Sequence, residues 1–123
     1  MKKFILMLLF MVLSSGVMAF DNFPLHINDT LPYYRGVVYD SAGPYNLINC
    51  TVKVYIKDLS GTLIVNGVSA VITNAVKGEF EYRWASSDTQ IAGTYTINFR
   101  IITQSGAYFT LPTDSSYKVI ITQ

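Results

Sequence analysis

The sequence predicts an all-β fold: an antiparallel β-sandwich of about seven to eight strands behind an apolar N-terminal segment. Three observations carry this expectation. From Tyr95 to Ile101 the chain alternates without a slip, with Tyr95, Ile97, Phe99 and Ile101 on one face and Thr96, Asn98 and Arg100 on the other. That period of two belongs to a strand with one dry and one wet face. Residues 51–58 and 79–84 alternate in the same way, and no helical period occurs after residue 19. Turn signals rich in Gly, Asn, Asp and Ser recur roughly every eight to twelve residues, the spacing of short strands.

The N-terminus reads differently from the rest. Lys2 and Lys3 precede an uninterrupted apolar run over residues 4–13, and the small residues Val17 and Ala19 stand at the −3 and −1 places of a cleavage site. These are the three parts of a secretory signal peptide, so residues 1–19 are expected to be a leader. An uncleaved anchor is the alternative, because residues 4–20 carry no charge and just reach the length of a membrane span. Without Lys2 and Lys3, seven basic residues face eight acidic ones, a net charge of −1. No stretch is dominated by one sign. That argues against nucleic acid as a partner and leaves the leader as the one element suited to a membrane. The single Cys50 has no partner for an internal disulfide and reads as a half-buried, inert thiol.

Taken in order, residues 20–31 form an arm with Pro24 and the adjoining Pro32, expected to lie along the sandwich edge or to reach a neighbouring chain. The sandwich occupies residues 32–123. Residues 33–40 are the first strand, with Gly36 marking a bulge or a close backbone approach. Asp40, Gly43 and Pro44 turn the chain. The second strand, residues 51–58, points Val52, Val54 and Ile56 inward and Lys53, Tyr55 and Lys57 outward. After a turn at 58–61, residues 62–65 and 68–73 read as a hairpin around Asn66-Gly67, whose residues both tolerate positive φ. Residues 79–84, the fifth strand, send Phe80, Tyr82 and Trp84 inward and Glu79, Glu81 and Arg83 outward. Pairing of the second and fifth strands would set Lys53 and Lys57 against Glu79 and Glu81, at about 0.2–1 kcal/mol per exposed pair. The run 85–92 leads into the central strand, Gln104-Ser105-Gly106 turns it into residues 107–111, and 117–122 closes the sheet beyond an interruption at 112–116.

Tyr95 stands near the start of the central strand just after a corner. In immunoglobulin-like sandwiches a Tyr in that place reaches back to upstream backbone, and the chain is expected to be immunoglobulin-like on this account.

No reactive constellation is visible. His26 is the one histidine and sits in the arm away from any nucleophile with an orienting third group, so no enzymatic activity is expected. No His or Cys pair has metal-ligand spacing, Asp40 and Asp58 read as turn formers, and no glycine pattern cradles phosphate; no metal or cofactor is expected. Asn28 and Asn49 each open a glycosylation pattern. Tyrosine is abundant, with nine in the chain, and Tyr33, Tyr34, Tyr45, Tyr55 and Tyr108 are the candidate partner-binding residues at edges and loops.

An ordered set of residues resembles a known family. It runs Leu31-Pro32, Gly36, Asp40, Gly43-Pro44 and Leu47; then residues 51–58 with Gly61; then Ala70-Val71-Ile72-Thr73-Asn74-Ala75, Gly78, Phe80, Tyr82 and Trp84; then Asp88, Ala92-Gly93-Thr94-Tyr95, Phe99 and Gly106. Over residues 31–122 this is similar to the N-terminal immunoglobulin-like domain of phage baseplate upper proteins. The resemblance implies a virion structural or adaptor role in the tail, baseplate or capsid surface, docking onto other virion proteins or further copies of the chain. The leader and the tyrosines point instead to an exported periplasmic or cell-surface module that binds carbohydrate or another surface protein.

Overall fold

The alternation around Phe99 folds as the longest described strand of a two-sheet β-sandwich, seen in a computed structural model that describes residues 4–8, 22–112 and 117–123. In chain order the strands are β1 (Phe4–Leu8), β2 (Asn22–His26), β3 (Tyr34–Asp40), the short β4 (Gly43–Pro44), β5 (Thr51–Asp58), β6 (Leu63–Ser69), β7 (Val71–Asn74), β8 (Glu79–Tyr82), β9 (Gly93–Ile102), β10 (Tyr108–Leu111) and β11 (Tyr117–Thr122). One sheet has the order β1-β3-β8-β7, with β4 on β3. The other has the order β2-β11-β9-β5-β6, with β10 on β9. Every pairing is antiparallel except that of β2 with β11.

Strand β9 is bonded along both edges. On one side β5 follows it from Tyr95 to Ile102; on the other β11 takes residues 93–97 and β10 takes residues 99–102. Its inward residues Tyr95, Ile97, Phe99 and Ile101 meet Val52, Val54 and Ile56 of β5 and Val119 and Ile121 of β11 in one buried cluster with Tyr34, Val38, Phe80 and Tyr82 of the opposite sheet. Rings join the two layers. Phe99 lies 5.3 Å from Tyr34 and 5.0 Å from Phe80, Phe23 lies 4.9 Å from Tyr34 and 5.9 Å from Trp84, and each such pair adds about 0.5–1.5 kcal/mol beyond the area it buries. The Trp84 indole donates to the Pro32 carbonyl at 2.9 Å. Tyr95 fulfils the expected corner: its hydroxyl donates to the Ile91 carbonyl at 2.6 Å. Asp88 braces the same loop, accepting from the Tyr82 hydroxyl and the Ala85 N–H.

The arm joins the sandwich. Residues 22–26 are strand β2, and Phe23 and Leu25 enter the core. Gly36 sits in register without a bulge. Of residues 1–19, the expected leader, residues 4–8 form β1 against β3; the others, like 113–116, lie outside the described residues.

Three expectations are corrected. Asn66-Gly67 is not a hairpin turn. The reversal occurs at residues 58–62, where Asp58 Oδ1 accepts from the Ser60 N–H, the Ser60 hydroxyl and the Thr62 N–H. That turn fixes the register, so Asn66 falls opposite Tyr55 in mid-ladder, and Gly67, at φ +77°, serves a bulge instead. The second and fifth strands do not pair, because β5 and β8 belong to different sheets. Glu81 instead sits between Arg35, its register partner, and Arg83. Tyr34 is not an edge residue but fully buried, on the inward parity of Gly36 and Val38.

Gly78 is held by its surroundings. It adopts φ +70°, its carbonyl accepts from Val38 N–H, and a Cβ there would collide with the carbonyls of Val38 and Tyr45. Gly78→Ala is expected to cost about 3 kcal/mol or more, from the backbone conformation and the clash together, in urea unfolding. Tyr95→Phe should cost about 1–2 kcal/mol in the same assay by leaving the Ile91 carbonyl without its donor. Burial, then the bond to Asp88, pushes the Tyr82 phenol up, and burial, then the Asp58 carboxylate, does the same for Tyr95. Their folded pKa values exceed the unfolded value of about 10, so this stabilisation is intact below that pH and lost as pH rises through and above it. Unfolding midpoints measured between neutral and strongly alkaline pH should fall steeply in the wild type and less so in Tyr82→Phe.

Candidate functional site

The parity that buries Phe99 turns its neighbours outward. On the outer face of the larger sheet β5 presents Lys53, Tyr55 and Lys57, and β9 presents Thr96, Asn98 and Arg100. Register brings them together: Lys53 faces Arg100, Tyr55 faces Asn98, and Lys57 faces Thr96. On the other side of β9, Thr110 faces Arg100 and Tyr108 faces Ile102. Arg100 is the centre of the group. Its guanidinium carbon lies 5.1 Å from the Tyr55 ring centroid and 4.5 Å from that of Tyr108. Each stacking contact stabilises by about 0.5–1 kcal/mol at an exposed site. Stacking uses the flat faces of a guanidinium and spares the in-plane N–H groups that grip carboxylates and phosphates. One of these, Nε, is shielded from solvent with no hydrogen-bond partner among the described residues.

The two glutamates lie on the other sheet. The carboxylates Glu79 and Glu81 are on β8 in the smaller sheet, where Glu81 is 5% exposed and held by Arg35 at 3.4 Å and Arg83 at 2.8 Å. Among the described residues no carboxylate forms an ion pair with Lys53, Lys57 or Arg100. Lys53 opposite Arg100 is a like-charge cross-strand pair, which costs stability until an anion comes between or above them.

The five candidate tyrosines separate. Tyr55 and Tyr108 converge on Arg100. Tyr33 is half-buried and stacks with Arg83, 5.3 Å away, beside the smaller sheet. Tyr45 is half-buried, edge-on to Phe109 at 5.6 Å. Tyr34 is spent in the core. Sequence reasoning missed Arg100, Lys53 and Lys57 as members of the site. The signal was present in the outward parity of Lys53-Tyr55-Lys57 and of Arg100, but the lysines were matched with Glu79 and Glu81.

Other polar residues have local duties. Asp40 Oδ1 accepts from Ala42 N–H, and Asp58 ties its own turn, the Ser60 hydroxyl chief among the bonds that hold its carboxyl below the usual range. His26 Nδ1 lies 3.2 Å from the Thr122 hydroxyl. Cys50 is half-buried, and burial pushes its thiol up. Asn28 and Asn49 occupy exposed turns at φ 67° and 63°. Among the described residues no three His, Cys, Asp or Glu side chains gather where they would hold a metal, and no helix is long and apolar enough to cross a membrane.

Comparison with known protein families, with curated proteins and with solved structures finds no match.

Arg100→Ala is expected to free Tyr108 and to lower stability by about 1–2 kcal/mol, the worth of two stacking contacts, less the relief of the Lys53 repulsion. Urea unfolding of Arg100→Ala beside Lys53→Ala, which should be neutral or mildly stabilising, checks this assignment.

Proposed function

We propose that the chain is a non-enzymatic, immunoglobulin-like virion accessory protein, a tail, fibre-adaptor or decoration subunit. It acts by docking the outer face of its larger sheet onto an acidic surface of another virion protein. The observation that carries the docking face is the clamp of Arg100 between Tyr55 and Tyr108, beside Lys53 and Lys57 and on the opposite sheet from Glu79 and Glu81. Aromatic rings and Arg are the side chains that concentrate binding energy at protein interfaces, and unpaired cations steer an acidic partner toward them. Support for the immunoglobulin-like reading comes from the strand orders β3-β8-β7 and β11-β9-β5-β6 and from the Tyr95 corner. Support for the virion reading comes from the ordered residues between Leu31 and Gly106 described above.

Mass spectrometry of purified particles is expected to find this polypeptide at a fixed copy number; its absence would overturn the virion role. The double variant Lys53→Glu, Lys57→Glu, which leaves the Arg100 stack in place, should reduce incorporation at least about tenfold, as expected for charge reversal at an interface, while remaining folded in the same urea assay.

One observation favours a second reading, an exported module binding acidic carbohydrate: the same rings and guanidinium suit a sugar carboxylate or sulfate, and residues 1–19 have the composition of an export leader. An array of acidic and neutral glycans decides it, since blank arrays would remove this reading and leave the first standing.

A further inference from the structure

Among the described residues the two strand orders end on β1, β7, β2 and β6, with β4 and β10 as further edges only two and four residues long, and three of the four end positions are blunted. Strand β2 carries Pro24, which has no N–H to offer. Strand β6 shifts register twice against β5, and β7 is four residues long with a shift of its own against β8. These are the usual devices against unwanted strand pairing. Strand β3 is different. It is seven residues long, contains neither proline nor bulge, and is covered by β1 in an unbroken register from Phe4↔Asp40 to Leu8↔Gly36.

The covered edge can be assigned residue by residue. Val38 gives its N–H to the Gly78 carbonyl and takes the Tyr45 N–H on its own carbonyl, both on the side of β8 and β4. Backbone groups of an antiparallel strand alternate between its edges, so Val37 and Tyr39 turn theirs toward β1, opposite Met7 and Ile5. The cover comes from residues 4–8, inside the leader-like segment 1–19. Its removal by processing would leave the N–H and C=O groups of Val37 and Tyr39 without strand partners, on an edge seven residues long that carries neither proline nor bulge.

We propose that this edge is a strand-addition site. Residues 4–8 hold it in the full-length chain, and an extended apolar segment of a partner protein takes it, antiparallel to β3, once residues 1–19 are gone. The chemistry of the occupant follows from the edge. A partner residue placed opposite Val38 shares the face that Val38, fully buried, turns to the core, so it must be apolar, as must its neighbours two places away. The segment that fills the site in the full-length chain, Phe-Ile-Leu-Met-Leu, has this character. The site lies on the smaller sheet and does not depend on the docking face of the larger one.

The test compares the full-length chain with its Ile5→Pro and Met7→Pro variants, using amide hydrogen exchange and a labelled synthetic peptide with the sequence of residues 2–8. Val37 and Tyr39 amides should exchange slowly in the full-length chain and at least about tenfold faster in the variants, while Val38, bonded to Gly78, keeps its protection and reports an intact fold. The peptide should bind the variants and restore protection at Val37 and Tyr39, and an analogue N-methylated at alternate residues should bind at least about tenfold more weakly. Excess peptide should also displace β1 from the unsubstituted chain, which reads the site even if both prolines unfold the protein. Equal exchange in all chains, binding indifferent to N-methylation, or absence of displacement would overturn the proposal. So would variants that sediment as dimers with Val37 and Tyr39 protected before any peptide is added, since the occupant would then be a second copy.

Discussion

The packing of β9 between two strand neighbours and an opposing layer of rings is the constraint from which the rest follows. Four inward side chains, Tyr95, Ile97, Phe99 and Ile101, are 5% exposed or less, and they touch both the strands beside them and the aromatic residues across the sandwich. A strand bonded on both edges cannot slip by one residue without exchanging its two faces. Sliding β9 would bring Asn98 and Arg100 into the interior and expose Phe99. The penalty for burying those groups fixes the register of β5, β10 and β11 at once. The Tyr95 hydroxyl bond to Ile91 then ties the start of the strand to the loop that precedes it.

The same parity makes the outer face. With Phe99 inward, Arg100 has to point out, and the antiparallel register with β5 and β10 sets Tyr55 and Tyr108 at stacking distance on either side of it. Glu79 and Glu81 belong to a strand of the other sheet, where Glu81 is held by two arginines, and Asp58, at the end of β5, is tied to its own turn. The separation of Lys53 and Lys57 from Glu79 and Glu81 thus arises from which strands share a sheet rather than from the overall balance, which is close to zero. A sandwich so divided can present one sheet's face and another sheet's edge as separate surfaces, with the core between them unchanged.

Much of the architecture was legible because it depends on local alternation. The alternations at 51–58, 79–84 and 95–101 announced strands and their inward sets, though β8 ends at Tyr82 and Glu81, expected outward, is buried between two arginines. Asp58 was rightly read as a turn former. The failures have a common origin in long-range pairing. Tyr33-Tyr34 offered two equivalent phases, and only the pairing of Tyr34 with Tyr82 shows which ring is inside. Asn66-Gly67 has the chemistry of a hairpin turn, but the reversal at Asp58 had already set the register that places it in mid-strand. Pro24 obscured the alternation of Phe23 and Leu25, whose burial depends on a parallel partner almost a hundred residues away in sequence.

The sequence by itself determined that this chain is all-β, which residues of its long strands face inward, and where most turns fall, because side-chain period and turn chemistry act over a few neighbouring residues. Only the tertiary structure decided which strands share a sheet, and with that the gathering of Tyr55, Arg100 and Tyr108, the isolation of Lys53 and Lys57 from Glu79 and Glu81, and the covered edge of β3. The physical reason is that strand pairing is a contest among distant backbone partners, settled by the whole core rather than by any one segment.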